Sequence, residues 1–306
     1  MDARNPACQL ADTSGSFLAP SGAGPLASVV GYLRCPVCGS PMSLSGGRLV
    51  CRRSHSFDVA RHGYVNLCAG RGGPGTGDSA AMAAARDRFL AGGHYRPLAA
   101  ALRSLAARYE GAGHGLVIDL AGGTGYHLGQ VLDELPRRHG LCIDLSVPAL
   151  RRASRAHSRA AALGADVWQR LPLAPHSAAV VLSVFGPRNA AEISRILAAD
   201  GALIIAAPGS AHLRELIGPL GMIGIDPGKP RRLADAFSGY TASAVTTVNY
   251  LLTLDHADLT ALVAMGPSAR HITTGALAAR IRALPDPATV TVDLRIRVYR
   301  AGSPQR

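Results

Sequence analysis

The chain has 306 residues, of which 48% are hydrophobic and 17% charged, as in a globular protein with room for a small module plus one α/β domain. It contains no run of eighteen or more apolar residues and no signal-peptide pattern in its first thirty residues, so we expect a cytoplasmic protein without a membrane span. The formal net charge is +12, and Lys229 is the only lysine among 32 basic residues. This excess favours a polyanionic partner, with a solvated basic face as the alternative.

The first part of the chain changes composition twice. Residues 1–30 are rich in Ala, Gly, Ser and Pro without a sustained period, which predicts a disordered extension. Residues 31–75 are predicted to form a metal-binding module followed by a glycine-rich linker, and residues 76–306 a second domain. Within 31–75, Asp58 is the only acid, against Arg34, Arg48, Arg52, Arg53, Arg61 and Arg71. This local charge predicts that the module contacts nucleic acid.

Four residues of this module have the spacing of a tetrahedral zinc site: Cys35, Cys38, Cys51 and His55. In a Cys-x2-Cys knuckle two thiolates face one ion while backbone amides hydrogen-bond to the sulfurs, and the Cys-x3-His pair completes the tetrahedron. Four protein ligands leave no open coordination position, which predicts a structural zinc in a module too small for its own core. His62 is an alternative fourth ligand outside the compact spacing. Chance cysteines with a surface histidine are the remaining alternative.

Beyond the linker, the chain alternates helical segments with short apolar strands, as in a parallel sheet with crossover helices. Asp78 and Ser79 precede a predicted capped helix through residue 90, and a second helix is predicted over 97–108. The predicted strands are 116–120, 141–145, 178–183 and 202–206, with helices beginning near Tyr126, Val147 and Ala190. Residues 290–298 alternate with period two, which predicts a half-buried antiparallel strand at or near a sheet edge.

The strand at 116–120 runs into a glycine-rich turn. A glycine turn alone is weak evidence, because dinucleotide-binding enzymes use a similar device. Here Asp119 stands before the glycines Gly122, Gly123 and Gly125. In S-adenosylmethionine-dependent methyltransferases an acid at this point faces the methionine part of the cofactor. The alternative for Asp119 is a helix cap.

Two further acids fall where the same fold places cofactor contacts. Asp144 ends the second strand, where a carboxylate can accept hydrogen bonds from both ribose hydroxyls. Asp166 stands where an adenine-side contact is common. Ligands bind at the carboxyl ends of such strands, where all three acids fall. Loop carboxylates without a ligand are the alternative.

The ordered motifs resemble the RlmA-type 23S rRNA guanine-N1 methyltransferases. The resemblance is carried by the zinc ligands, segment 55–67, Gly77-Asp78-Ser79 and the run Ala91-Gly92-Gly93-His94-Tyr95-Arg96-Pro97-Leu98. Within the family the chain is most similar to the actinomycete branch that confers resistance to macrolides such as tylosin and mycinamicin. The resemblance extends from about Tyr32 to Tyr299.

This resemblance implies a class I S-adenosylmethionine-dependent methyltransferase with a Rossmann-like α/β sheet, preceded by a zinc-ribbon RNA-recognition module. It implies S-adenosylmethionine and one structural zinc as cofactors, a guanine in a 23S rRNA hairpin loop as acceptor, and a homodimer. By motif match, further cofactor contacts fall on Tyr95, Leu128, Gly129 and His212. Without the resemblance, Tyr95 would be interpreted as a partly buried aromatic residue and His212 as a helix-start histidine.

Two points stay open at this level. Relatives usually carry a tryptophan shortly after a Met-x-Pro element, whereas Met265-Gly266-Pro267 leads here to Arg270, whose planar guanidinium can also stack. The loop 185–189, where related folds bind the acceptor, contains no carboxylate, so no general base can be named. Within that loop, Arg188 or Asn189 contacting guanine O6 competes with a purely structural turn.

Two other functions compete with rRNA methylation. A small-molecule methyltransferase could use the same fold, although the basic zinc module argues against it. A non-catalytic zinc-ribbon RNA-binding protein would not need the intact acids and glycines of the cofactor loop.

Overall fold

The computed structural model describes residues 24–68, 77–226 and 228–301. The strands are β1 (Met42–Ser45), β2 (Arg48–Cys51), β3 (Ser56–Asp58), β4 (Val65–Asn66), β5 (Leu116–Leu120), β6 (Gly140–Asp144), β7 (Ala160–Gly164), β8 (Ala178–Val184), β9 (Leu197–Pro208), β10 (Tyr240–Leu254) and β11 (Ala288–Ala301). The helices are α1 (Pro25–Val29), α2 (Ala80–Ala91), α3 (Arg96–Tyr109), α4 (Tyr126–Glu134), α5 (Val147–Ala153), α6 (Ala190–Ile196), α7 (Arg214–Leu220), α8 (Lys229–Ala236), α9 (His256–Ala264) and α10 (Thr274–Arg282). Short 3₁₀ turns cover Val30–Tyr32 and Pro267–Arg270.

The described strands form two sheets. β1, β2 and β3 make an antiparallel sheet around the zinc motif, and the others make a sheet in the order β10-β11-β9-β8-β5-β6-β7-β4. From β9 to β4 the neighbours are parallel, whereas β11 is antiparallel to both β9 and β10. The chain order reverses at β5, which has β6 on one side and β8 on the other. Such a switch point opens a crevice at the carboxyl ends of the strands.

The crossover helices begin where the sequence predicts, because side-chain caps fix their first residues. The Ser79 hydroxyl accepts from the Met82 amide at 3.2 Å, and the Ser146 hydroxyl from the Ala149 amide at 3.2 Å. Asn189 Oδ1 accepts from the Glu192 amide at 3.3 Å. Each cap satisfies an amide that has no partner within the helix. The predicted starts of α5 and α6 are therefore confirmed. The predicted start of α4 at Tyr126 is confirmed as well, but α4 is the exception to the capping: Gly125, in a left-handed conformation, precedes it and supplies no side-chain cap.

Several strands differ from their predicted form. β6 lies one residue earlier, and β9 and β11 are longer than predicted. β11 is antiparallel and lies next to the edge strand β10, as predicted, but it is more than half-buried: Val292, Leu294 and Ile296 are fully buried, and the alternate residues Thr291 and Asp293 are buried as well. β7 and β10 have no counterpart in the prediction. The alanines of β7 do not favour a strand, so pairing with β6 decides its conformation.

The N-terminal prediction is wrong for residues 24–30. Pro25–Val29 form α1, whose Leu26 and Val29 side chains are buried and which packs against β7. The predicted disorder of residues 1–23, and most of the predicted linker, lie outside the described residues.

The zinc module and the large sheet share one hydrophobic cluster. Leu33, Leu49 and Val65 from the module pack in the same cluster as Leu163 and Leu173. Backbone hydrogen bonds reinforce this packing, from the Arg34 amide to the Pro172 carbonyl at 2.9 Å and from the Ala174 amide to the Tyr32 carbonyl at 2.8 Å. The metal motif is thus fixed to the sheet. None of the helices that the structure describes is long and apolar enough to cross a bilayer.

Candidate functional site

The four predicted zinc ligands converge. The ligand atoms of Cys35, Cys38, Cys51 and His55 all lie within 4.8 Å of one another. Cys38 Sγ is 3.7 Å from Cys51 Sγ, and His55 Nδ1 is 3.4 Å from Cys51 Sγ and 3.6 Å from Cys35 Sγ. Tetrahedral zinc, with Zn–S near 2.3 Å and Zn–N near 2.0 Å, requires ligand separations of about 3.5–3.8 Å. The cluster fits a closed zinc site with His55 bound through Nδ1.

The first ligand pair lies in a tight knuckle. The Cys35 carbonyl accepts from the Gly39 amide at 2.8 Å, and Gly39 adopts a left-handed φ of +71° that favours glycine. Hydrogen bonds from the Ser40 hydroxyl and the Ser40 amide lower the pKa of the Cys38 thiol to about 6. Because the thiolate is the form that binds metal, the knuckle prepares this ligand at neutral pH.

A hairpin and a turn bring the second ligand pair, Cys51 and His55, next to the first pair. Gly46 and Gly47, with φ of +54° and +74°, form the two-residue connection between β1 and β2. β2 ends at Cys51, and the Cys51 carbonyl accepts from the Ser54 amide at 2.9 Å, which brings His55 to the cluster. His62 lies outside the cluster, with Nε2 3.4 Å from Arg61 Nε.

We predict one zinc per chain, because the four ligands match a tetrahedron and metal binding contributes about 10–16 kcal/mol to folding such modules. Elemental analysis of the purified protein should show near-stoichiometric zinc that falls in Cys38→Ser and Cys51→Ser. His62→Ala is the control and should retain zinc. Stoichiometric zinc in both cysteine variants would contradict this ligand set.

A cavity of about 1070 Å³ opens at the carboxyl ends of β5, β6 and β8. Its wall includes five of the predicted cofactor residues, which the structure brings together from distant parts of the chain: Tyr95, Asp119, Gly123, Asp144 and His212. Asp166 lines it as well. The predicted residues Gly125, Leu128 and Gly129 are not part of this wall.

Asp119 is the most unusual group in the cavity. It is only 1% exposed, and neither carboxylate oxygen has a hydrogen-bond partner among the described residues. Burial, assisted by the nearby charge of Asp144, raises the pKa of Asp119 to about 8. A buried carboxylate without a partner is costly, so it indicates a ligand that supplies a donor or a positive charge. The ammonium group of S-adenosylmethionine fits this requirement.

The glycine turn allows the backbone to lie against these carboxylates. A Cβ on Gly122 would be 2.7 Å from Cys142 Sγ and 2.8 Å from Asp119 Cγ. Gly123 has a φ of +57°, and its amide donates to Asp144 Oδ2 at 2.9 Å. Asp144 Oδ1 accepts from the Ser146 amide at 2.8 Å. Both oxygens are therefore held by backbone donors, which fixes the carboxylate at the cavity wall.

The other three predicted residues pack away from the cavity. Gly125 precedes α4 with a φ of +78°, and a Cβ there would be 3.1 Å from Ala153 Cα. The Leu128 side chain is fully buried in the core, and the Gly129 amide donates to the Gly125 carbonyl at 2.9 Å. These positions support the turn and its helix. The assignment of cofactor contacts to Leu128 and Gly129 gains no support from their placement and stays a prediction.

Tyr95 and His212 form an aromatic wall with Phe185. Tyr95 Oη lies 3.5 Å from His212 Nε2, and the Phe185 and His212 rings are 6.3 Å apart and 19° from parallel. Burial lowers the pKa of His212 to about 4, so the ring is neutral at pH 7. Its Nδ1 accepts from the Asp293 amide at 3.3 Å, which leaves the proton on Nε2, toward Tyr95.

Sequence reasoning assigned no role to an ion pair at the edge of this cavity. Arg86 Nη2 is 2.8 Å from Asp78 Oδ2 and also donates to the Met265 carbonyl at 2.8 Å. Arg270 donates to the Gly77 carbonyl at 3.0 Å. These contacts join the start of the second domain to the segment before the last helix. Gly77, Asp78, Met265 and Arg270 lie in motifs that the sequence shows, but the motifs are far apart along the chain and Arg86 belongs to none of them. The sequence therefore does not predict that they contact one another.

Sequence reasoning also assigned no role to Trp168, the single tryptophan. Trp168 lines the cavity, and 59% of its surface is exposed. Its amide donates to Asp166 Oδ1 at 2.9 Å, and its carbonyl accepts from Asn189 Nδ2 at 3.1 Å. A planar ring held at the cavity mouth can stack on a heterocycle.

The structure is that of an S-adenosylmethionine-dependent methyltransferase with a zinc ribbon. This class is defined here by a parallel sheet with the antiparallel strand β11, by Asp119 and the glycine turn at the switch point, and by the closed zinc site. Residues 33–69 match the family model described as RlmA, N-terminal, a zinc ribbon. The chain is 46% identical over 287 residues to a Micromonospora griseorubida protein provisionally named 23S rRNA (guanine-N(1)-)-methyltransferase, covering 88% of this chain and 97% of that protein.

Two further relatives extend the comparison. The chain is 44% identical over 275 residues to the 23S rRNA (guanine(748)-N(1))-methyltransferase of Streptomyces fradiae, covering 89% of this chain and 98% of that protein. A provisionally named Bacillus subtilis 23S rRNA (guanine-N(1)-)-methyltransferase is 37% identical over 191 residues, covering 60% of this chain and 66% of that protein. The chain belongs to the 23S rRNA (guanine-N1)-methyltransferase family, as the sequence motifs predicted.

We predict that S-adenosylmethionine binding releases a proton below pH 7.5. Asp119, with its pKa near 8, is protonated in the free protein, and a cationic ligand favours the carboxylate. Affinity should therefore rise between pH 6 and 7.5, by at most about tenfold per pH unit. His127 and His212, with pKa values near 4, do not titrate in this window.

Calorimetry in buffers with different ionisation enthalpies measures the protons released. Asp119→Asn should weaken binding and abolish the release. Proton release that persists in Asp119→Asn would assign the titrating group elsewhere.

Proposed function

We propose that this protein transfers a methyl group from S-adenosylmethionine to N1 of a guanine in a 23S rRNA hairpin loop, and that this modification confers macrolide resistance. The observation that carries the proposal is an identity of 46% and 44%, over 88% and 89% of this chain, to two relatives named for this reaction. The residues that line the cavity also suit the cofactor. The proposal includes the division into a zinc-ribbon module over 31–75 and a methyltransferase domain over 76–306. A cytoplasmic location and a homodimer remain predictions.

The cofactor site follows from the donors and acceptors that the cavity offers. Asp119 would accept a hydrogen bond from the ammonium group of S-adenosylmethionine. The turn at Gly122 and Gly123 lets the backbone approach the cofactor closely. Asp144 would accept hydrogen bonds from the ribose hydroxyls, through the carboxylate lone pairs that its two backbone donors leave free. Trp168 would cover the adenine side next to Asp166. The bound cofactor supplies an electrophilic methyl group on a sulfonium.

The protein's share of catalysis is then mainly positioning. In-line methyl transfer requires acceptor, methyl and sulfur to be collinear, which a preformed cavity can impose. The acceptor side is formed by the loop after β8, where Phe185 has a φ of +59° that is unusual for an aromatic residue. Such a backbone conformation persists where the surroundings enforce it, and it is common at functional sites. A guanine in a hairpin loop is already partly unstacked, which lowers the cost of presenting N1.

A basic surface extends from the zinc module onto the other domain and supports an RNA acceptor. Arg61 from the module and Arg151 and Arg155 from the methyltransferase domain are exposed around His62, and their charges together with burial lower the pKa of His62. Ser154 Oγ donates to the His62 carbonyl at 2.6 Å, which fixes this junction. Cations without acidic partners attract phosphates. Small-molecule acceptors would leave this surface without a role.

Mass mapping of 23S rRNA from cells with and without the gene tests the proposal. The expected result is one additional N1-methylguanine, at the position named for the Streptomyces fradiae relative, and a rise in macrolide tolerance. An unmodified rRNA from cells containing the folded, cofactor-binding protein would favour the small-molecule methyltransferase. Absence of cofactor binding in calorimetry would favour the non-catalytic RNA-binding protein.

We predict that Arg52 and Arg53 contact RNA phosphates. Both are exposed in the turn between the ligands Cys51 and His55, so the metal fixes their backbone. Changing both to glutamine should reduce the slope of log affinity against log salt by about 0.7–0.9 per lost contact. Titration against the rRNA hairpin at several salt concentrations measures this, and cofactor affinity should be unchanged.

The matched control removes the same charge elsewhere. Arg108 and Arg282 are exposed on α3 and α10, and their double glutamine variant should keep the wild-type slope. Equal slopes in the wild type and the Arg52/Arg53 variant would show that these arginines are only solvated.

A further inference from the structure

Arg188 carries a charge that the fold leaves unsatisfied. It lines the cavity in the loop after β8, and its Nε and Nη2 atoms are buried without a hydrogen-bond partner among the described residues. Burial lowers the pKa of its guanidinium from the usual value, because it removes water from the charged form. Since buried charges in proteins are paired, this side chain indicates a ligand with an oxygen acceptor.

The loop that carries Arg188 is held next to the cofactor turn. A Cβ on Gly186 would lie 3.0 Å from the Leu120 carbonyl oxygen and 3.2 Å from Ala121 Cβ, so the loop crosses the end of β5. On its other side, Asn189 caps α6 and donates to the Trp168 carbonyl. Arg188 therefore projects from a fixed segment between the cofactor turn and the cavity mouth.

Asn189 is already committed to local contacts. Its Oδ1 accepts a hydrogen bond from the Glu192 amide, and its Nδ2 donates one of its two hydrogens to the Trp168 carbonyl, which leaves a single neutral N–H. Arg188 is the residue of this pair with buried, charged donors that have no partner among the described residues. The two alternatives that the sequence left open are thereby separated.

We propose that Arg188 donates hydrogen bonds to O6 of the target guanine and stabilises the negative charge that develops when its N1 proton is lost. This inference rests on the proposed function. The N1 proton leaves to solvent, the N1 electron pair forms the new N–CH3 bond, and the C–S bond breaks with its electrons staying on sulfur. The negative charge shared by N1 and O6 then disappears as the methyl group is transferred. A cationic donor at O6, held in place by the fixed loop, stabilises this charge as it develops.

The assignment also explains base selection. Adenine presents an amino donor at the position of O6, which would face the guanidinium donors without forming a hydrogen bond. Leaving a buried charged donor unpaired discriminates strongly against the wrong base.

The test compares Arg188→Gln and Arg188→Lys with the wild type and with Arg108→Gln, an exposed arginine of α3 outside the cavity. Methyl transfer to the rRNA hairpin should fall roughly 10- to 100-fold in kcat for Arg188→Gln, the range for losing a hydrogen bond to a charged group. Arg188→Lys should recover part of the loss. The rising limb of the pH–rate profile should move to higher pH in Arg188→Gln, because the deprotonated guanine is less stabilised. Arg108→Gln should behave as the wild type.

Hairpin binding separates an O6 contact from a phosphate contact. The wild type should bind a hairpin with guanine or inosine at the target more tightly than one with 2-aminopurine, which lacks O6, and Arg188→Gln should lose this preference. An equal loss for all three bases would assign Arg188 to a phosphate and overturn the proposal. Loss of cofactor binding in both variants would assign Arg188 to folding and overturn it as well.

Failure of the proposed function has a different signature. A wild-type protein that binds the cofactor but does not methylate guanine N1 in the rRNA would refute that function and this inference together. An active wild type with an unaffected Arg188→Gln refutes this inference alone.

Discussion

Burial of Asp119 at the switch point is the constraint around which the cofactor site is organised. No donor from the described part of the chain reaches this carboxyl group, and its burial, together with the nearby charge of Asp144, raises its pKa. The fold tolerates this arrangement because Gly122 leaves room against both Asp119 and Cys142, and because backbone amides hold Asp144. The same features suit the proposed cofactor, which has a cationic end and vicinal hydroxyls.

The zinc site performs a different task. Its four ligands complete the coordination shell of the metal, so its effect is mechanical. It fixes the turn that carries Arg52 and Arg53, and the segments that contribute Leu33 and Leu49 to a shared core. This core is continuous with the large sheet. Arg61 of the module is therefore held at a fixed position relative to Arg151 and Arg155 of the large sheet's domain. A substrate larger than either unit can then be bound by both at once.

Several elements follow the sequence closely, and the exceptions have physical causes. The starts of α4, α5 and α6 are encoded by local residues, namely a glycine turn, Ser146 and Asn189, so a local pattern predicts them. β7 is an alanine-rich segment whose extended form depends on pairing with β6, and such pairing between distant segments is invisible to local propensity. Disorder was predicted for the segment of α1 because residues 1–30 are rich in Ala, Gly, Ser and Pro without a sustained period. Leu26 and Val29 are nevertheless buried, and the helix packs against β7.

The sequence by itself determined the family and the cluster of four zinc-ligand residues, and it placed Asp119 directly before the glycine turn, because these depend on residue types in ordered motifs with fixed spacing. Only the tertiary structure decided which residues share one cavity. It brings Tyr95 Oη within 3.5 Å of His212 Nε2, although the two residues lie 117 positions apart in the sequence. It also places the Leu128 side chain in the hydrophobic core and Gly129 within helix α4, away from the cavity. It also showed that Asn189 is engaged while Arg188 is not, a distinction made by hydrogen bonds between segments whose separation in sequence carries no information about their contact.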